Sequence, residues 1–547
     1  MIPIRRYLIA AIVALMTTTY ATAQEEPPLA PLFEDLGDHT HPVSTGEPRV
    51  QEYFDQGLIW HYGFNHAEAV RSFRQAQRID PDCAMAYWGE ALSLGPHINA
   101  GMSRAAVDPA WEAITTAQQK AAGATEKERA FISALAERYS NDVSANRAAL
   151  DQAYADAMRR VAQDYPDDAD AQALLAEALM ITTAWDYWLA DGSPNAVTEE
   201  ILNVLESSMT REPNHPGTNH FYIHTVETRH PERGIGAADR LRDLVPQAGH
   251  LQHMPSHIYI QIGRYADASL ANDKAVRADR EYLDRHGAHG MYRISYMPHN
   301  AIYLCYTTAM EGRGEACLKA ANTTRELILE DPLYQPGYGS LTYGYSLRYS
   351  ALARFGRWQG ILDEAQPPER LLFPTAIWRF ARGLALLRMD QIDSARNELA
   401  RLDDLTADDK IAAMDAWGTG TTRSVLQIAG HILSGEIAAA EGDFAQAEEH
   451  LRRAVTLEDG LGYREPPIWF SPARLVLGAI LLEAGQPSEA EEVYRRNLQK
   501  HPDNGWGLFG LYQALISGGK ADEAEEVHAR FTEAWSRADV ELTSSRM

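Results

Sequence analysis

Cysteine is nearly absent from this chain: Cys83, Cys305 and Cys317 are the only three in 547 residues. That excludes a fold held by a disulfide framework. Positive charge is scarce too, with 50 lysines and arginines against 76 acids and a formal charge of −26. So acidic a chain repels nucleic acid and anionic lipid, and favours solubility or cationic partners. Long apolar runs are missing beyond the N-terminus. No later segment reaches the roughly 18 uncharged apolar residues a membrane-spanning helix needs. Also missing are a serine nucleophile elbow, a phosphate loop, a dinucleotide fingerprint and the H-E-x-x-H metalloprotease pattern.

Residues 1–23 have the layout of a cleavable secretory leader. Arg5 and Arg6 precede an apolar run from Tyr7 to Met16 and a small-residue exit at Ala21-Thr22-Ala23. Cleavage before Gln24 removes two arginines and no acid, which takes the formal charge from −26 to −28. The expected protein is exported, to the periplasm or beyond, without a membrane span.

What the chain does have is internal repetition. Tyr53, Gln56, Gly57, Trp60, Ala69, Phe73 and Pro81 follow the tetratricopeptide pattern, and Tyr87 and Ala91 begin another copy. Small residues let two helices approach, aromatics fill the gap, and proline ends the second helix. Gly442, Phe444, Ala447 and Leu451 repeat the signal, as do Gly485, Ala490, Tyr494 and Pro502. Gly519 and Ala524 follow one period later, with weaker copies around Gly356/Trp358 and Asp390/Ala395. The expected fold is all-α, a right-handed superhelical solenoid of about ten helix pairs. Residues 96–109, 182–195 and 280–298 (with His286 and His289) break the period. Such insertions either gather on the binding face or are solvated padding.

Histidines carry the functional signal. Counted from Pro213, His220, His224 and Glu227 share one helical face. Counted back from Gly263, Tyr265, Ala268 and Ala275, His250, His253 and His257 fall on the groove side of the next repeat. His299 takes an equivalent place in the repeat after that. Neighbouring helices lie about 8–10 Å apart, close enough for facing imidazoles to share an ion. Pro255 favours a helix that begins near Met254, leaving His250 and His253 on the preceding loop. Imidazole-rich sites with little sulfur suit copper, zinc or iron. Two histidines with Glu227 match the open arrangement of non-haem iron, and four histidines match copper or structural zinc. Against this stands a groove of hydrogen-bonded histidines that recognises a peptide or acidic ligand.

A thinner cluster comprises His39, His41, His61, His66 and His97, residues that are more often solvated or capping. Cys305 and Cys317, twelve apart, form either a disulfide stapling one repeat or two small core contacts. Cys83 has no evident partner and reads as buried and inert. Trp185, Tyr187, Trp188 and the run Tyr334, Tyr338, Tyr343, Tyr345 and Tyr349 default to core packing.

The stretches FNHAEAVRSF (64–73), DPDCAMAYWGEAL (80–92), GPHIN (95–99), NHFYIHTVE (219–227), GHLQHMPSHIYIQIGRYADA (249–268) and YMPHN (296–300) resemble exported bacterial tetratricopeptide-repeat proteins. The resemblance spans roughly residues 38–320 and implies fold and export, with no activity attached. It implies further that His66, His97 and His299 belong with the central cluster.

The organisation expected from the sequence is a leader (1–23), an extended segment (24–48), a solenoid with a histidine-rich groove (49–365) and C-terminal repeats (366–547). The leading functional expectation is a divalent transition metal held by His220, His224, Glu227, His250, His253, His257 and His299, serving oxidative or hydrolytic chemistry or metal handling. The alternative is a non-enzymatic scaffold whose groove binds a peptide or an envelope protein.

Overall fold

The computed structural model describes residues 28–142, 144–335, 339–414 and 421–547. The expected leader and Tyr338 lie outside the described residues. Among these residues no strand occurs, only isolated bridges at His97/Ala100 and Trp188/Pro194. Helices pair antiparallel along the chain, from Pro48–Tyr62 with His66–Ile79 to Gly505–Ser517 with Ala521–Ala534. The fold is an all-α solenoid of tetratricopeptide-like helix pairs.

The repeat signature has a direct packing cause. A Cβ added at Gly57 would stand 2.7 Å from the Phe73 ring, and one at Gly89 only 2.3 Å from it. The aromatic of one second helix is thus clamped between glycines of two successive first helices. Gly478 and Gly510 hold Tyr494 in the same way, at 2.4 and 2.2 Å. Replacing Gly89 or Gly510 by alanine should cost about 1–3 kcal/mol, because a fully buried ring has no room to retreat. Chemical denaturation measures this. Gly46→Ala, with nothing within 4 Å, should leave the midpoint unchanged.

One continuous apolar core runs through the stacked pairs. Cys305 and Cys317 meet where the helices Met297–Met310 and Gly314–Leu327 pack, as free buried thiols 3.4 Å apart. Burial pushes the Cys83 thiol up to about 11. Tyr187, Tyr343 and Tyr349 are buried in the core, whereas Trp185 is 41% exposed.

Two excursions shape the central region. The N-terminal segment lies without helix along the first repeats, its Leu29 and Phe33 amides donating to Gln75 and Gln56. The C-terminal repeats fold back onto the middle of the chain. There the Trp506 indole donates to the Ala309 carbonyl at 2.9 Å, and Gly263, at φ +81°, lies against Pro502. That return delivers residues 461–472 to the helices carrying His257 and His299.

Candidate metal centre

His220 and His224 sit four apart on the helix Pro216–Val226, whose side chains are buried all round. His253 and His257 are also four apart, across a break between the short helices Gly249–His253 and Pro255–Gln261. The expectation that Pro255 leaves His250 and His253 on a loop is corrected here. Met254 keeps right-handed helical angles (φ −51°, ψ −37°), so proline interrupts the ladder without turning the chain. The pair therefore stays on one face.

These pairs assemble into two trios of the same construction. His220 and His224 are joined by His250 from the next repeat, and His253 and His257 by His299 from the repeat after that. Within each trio one ring nitrogen per residue lies within 4.8 Å of the others. Ring centroids repeat the pattern: 4.8, 5.0 and 6.4 Å in the first trio and 4.8, 4.9 and 6.1 Å in the second. The trios abut, with His224 and His257 rings 5.7 Å apart and His250 and His253 rings also 5.7 Å apart.

Hydrogen bonds fix which nitrogen faces inward. A carbonyl only accepts, so His220 donates Nδ1–H to Tyr62 O at 2.6 Å. His224 donates Nδ1–H to Glu227 Oε1 at 2.9 Å. Asn272 spends its amide nitrogen on Ala268 O, so its Oδ1 accepts from His253 Nδ1 at 2.7 Å. The Nδ1 of His257 donates to the carboxylates of Glu227 and Glu465. In all four Nε2 faces the interior, unpartnered in His220 and His224, while His253 Nε2 and His257 Nε2 meet each other at 2.8 Å. His220 Nε2, His224 Nε2 and both ring nitrogens of His250 are buried without a hydrogen-bonding partner. Buried polar atoms are rarely orphaned, and several such imidazole nitrogens in one place could hold a metal ion.

Electrostatics divide the six rings. Burial holds His220, His224, His250 and His253 below the ordinary histidine value and His299 at about 3, so their lone pairs are free at neutral pH. His257 is the exception. Burial pulls it down, but Glu227 and then Glu465 carry it up to about 10. Its Nε2 proton accounts for the 2.8 Å approach to His253 Nε2, where two bare lone pairs would repel.

Glu227 touches His224 with one oxygen and His257 with the other. The structure thus places it behind the rings, orienting one histidine of each trio. Glu227, His257 and Glu465 also bring one ligand atom each within 4.8 Å of one another, so this carboxylate stays among the groups that could hold an ion. Glu465 was not foreseen. It arrives from the returning C-terminal segment, accepts from Tyr303 at 2.5 Å and Gln261 at 2.8 Å, and braces His257.

The thinner cluster does not form one site. His39 and His41 join His215 and Tyr62 around the buried carboxylate of Asp170, at 3.1, 2.7, 2.9 and 2.6 Å. His215 caps the helix bearing His220 and His224. His61 pairs with Glu177 at 3.2 Å. His66 and His97, 4.5 Å apart ring to ring, flank Phe64. Two of the period-breaking insertions meet here: the indole of Trp185 donates to Ile98 O and its ring lies 5.3 Å from His224.

The Asp170 cluster predicts a pH dependence. Burial pulls His39 and His41 down, but the Asp170 carboxylate outweighs it and raises both above 6.5, while Asp170 is held well below 3.8. The histidine contribution is full below about pH 6.5 and lost as pH rises through their folded values; the aspartate contribution is lost only in strong acid. Melting temperature should therefore decline from pH 6 towards 9, and Asp170→Asn should flatten that decline.

Residues 481–533 match the tetratricopeptide repeat family. No curated protein matches the chain. Among solved structures, the human IFIT1 dimer with m7Gppp-AAAA aligns over 91% of this chain and 91% of its own, at 10% identity and a TM-score of 0.30. Yeast Tom70 aligns over 90% and 91%, at 11% identity and a TM-score of 0.29. Likenesses of this size carry nothing about what this chain binds.

Proposed function

We propose that this chain is an exported metalloprotein that holds a pair of copper ions, one per trihistidine set, for oxidative chemistry. The observation that carries the reading is the duplicated trio, each a four-spaced pair completed from the next repeat. Three imidazoles without sulfur or carboxylate suit copper or zinc, and copper stands highest in the affinity order for nitrogen donors. Adjacent trios favour a redox metal, since zinc has no redox couple. Bound copper supplies a one-electron couple at each ion. The chain's own part is to fix geometry through Nδ1 hydrogen bonds, to bridge the trios through Glu227 and to exclude water with Phe64, Tyr296 and Tyr303.

The test is metal analysis and X-ray absorption on the full, untagged chain. The expected result is close to two copper ions per chain in an all-nitrogen/oxygen shell. Two zinc ions with no copper uptake would overturn the redox reading; failure to bind either metal would overturn the metal reading.

A second reading has its own support. Repeats of the matched type mediate protein contacts, and the C-terminal half has a small open pocket of about 70 Å³ lined by Trp358, Phe380, Trp469 and Phe470, room for an apolar side chain. A protein or peptide partner would dock there, away from the histidines.

A further inference from the structure

His66 and His97 stand outside both trios, and their surroundings differ from those of the other histidines. Their rings are 4.5 Å apart and only 32° from parallel. Both are partly exposed, unlike His220, His224 and His250. Among the described residues neither ring hydrogen-bonds a carboxylate; Glu177, bonded to His61, acts on His97 only through space. His97 Nδ1 accepts only a long 3.4 Å bond from the Asn99 amide. Burial keeps His66 well below its ordinary value and His97 at about 4, so both rings are neutral.

Phe64 stands between this pair and the first trio. Its ring centroid lies 5.8 and 5.2 Å from His66 and His97, and 4.6, 5.9 and 5.3 Å from His220, His224 and His250. It stacks nearly parallel to His224, at 12°. Phe64 also has φ +57°, a left-handed conformation that bulky residues rarely adopt. That conformation turns the chain from the helix Pro48–Tyr62 into His66–Ile79 and aims the ring inward between five imidazoles.

We infer that His66 and His97 are a separate port for a cuprous ion, which loads the His220–His224–His250 trio past Phe64. This rests on reading the trios as metal sites. A soft monovalent ion is content with two neutral imidazoles, whereas three bind it better, so transfer runs inward. Bonds to His66 and His97 break as bonds to the trio form. The ion exchanges imidazole nitrogens for imidazole nitrogens and stays cuprous, so no electron moves.

The experiment follows loading of the metal-free full chain with copper(I) supplied as its bathocuproine disulfonate complex. Release of the chelator gives the rate, and elemental analysis gives the capacity. His66→Asn/His97→Asn should load at least tenfold more slowly while still reaching two ions per chain. With excess copper(I) the wild type should hold a third, weaker ion that this variant lacks. Phe64→Leu, which keeps an apolar side chain but opens the barrier, should load faster than wild type. If the wild type takes up two ions and the double variant loads equally fast, the port is wrong and the trios stand. If the wild type takes up none, both fall. Circular dichroism of each variant separates slow loading from misfolding.

Discussion

Replacing His253 and His257 together by alanine should halve the bound metal, from two ions per chain to one, and remove the matching part of the chelator-sensitive stability. Both residues belong to the second trio, and neither supplies a nitrogen to the first. An ion that binds only the folded state adds about 4 kcal/mol when free metal exceeds its dissociation constant a thousandfold. Wild type should therefore lose two such contributions in chelator and the double variant only one. Removing the metal restores a set of buried nitrogens without partners, which makes the first trio a weak point of the metal-free fold. The variant also removes the charged ring between Glu227 and Glu465, so the metal-free variant should itself melt below metal-free wild type. The decisive quantity is thus the difference with and without chelator, compared between proteins. A variant that keeps two ions would show that the trios are not the ligand sets.

Much of this was legible before any coordinate. The helix pairs announce themselves because glycine and aromatic recur at fixed spacing, and Gly57, Gly89 and Phe73 show that the spacing records one clamped ring. The four-spaced histidines were legible for a similar reason: periodicity alone puts His220 beside His224 and His253 beside His257. What periodicity does not contain is which repeats curve towards each other. Glu465 lies 204 residues from Gln261 and meets it only because the C-terminal repeats fold back. His215, ahead of Pro216, has the sequence context of a helix cap and no local sign of a further role. Its tie to Asp170 joins parts of the chain that no local pattern relates. At Pro255 the sequence marks a missing hydrogen-bond donor, which does not by itself set the direction of the chain. The chain loses a bond there and keeps its helical course.

Glu227 offers the sharpest test of the paired arrangement. Each of its oxygens accepts from a different trio, Oε1 from His224 and Oε2 from His257. A glutamine in its place has one acceptor oxygen and one donor nitrogen, so it can serve only one of two Nδ1–H groups. His224, with no other acceptor, must then rotate or shift its proton to Nε2, where that proton blocks the inward nitrogen, whereas His257 keeps Glu465 and loses one of two braces. Removing an orienting carboxylate of this kind typically weakens metal binding 10–100-fold. Glu227→Gln should therefore weaken the pair by at least that factor, in whichever trio loses its partner, and Glu227→Ala should weaken both. Glu465→Gln is the matched control, because Glu465 touches His257 and no histidine of the first trio. It should spare the ion bound by His220, His224 and His250. Competitive titration with a chelator of known affinity resolves the two binding steps. A Glu227→Ala protein with one weakened and one untouched step would show that the carboxylate belongs to a single trio. Loss in both steps, against loss in one for Glu465→Gln, would make Glu227 the bridge through which the two trios act as one centre.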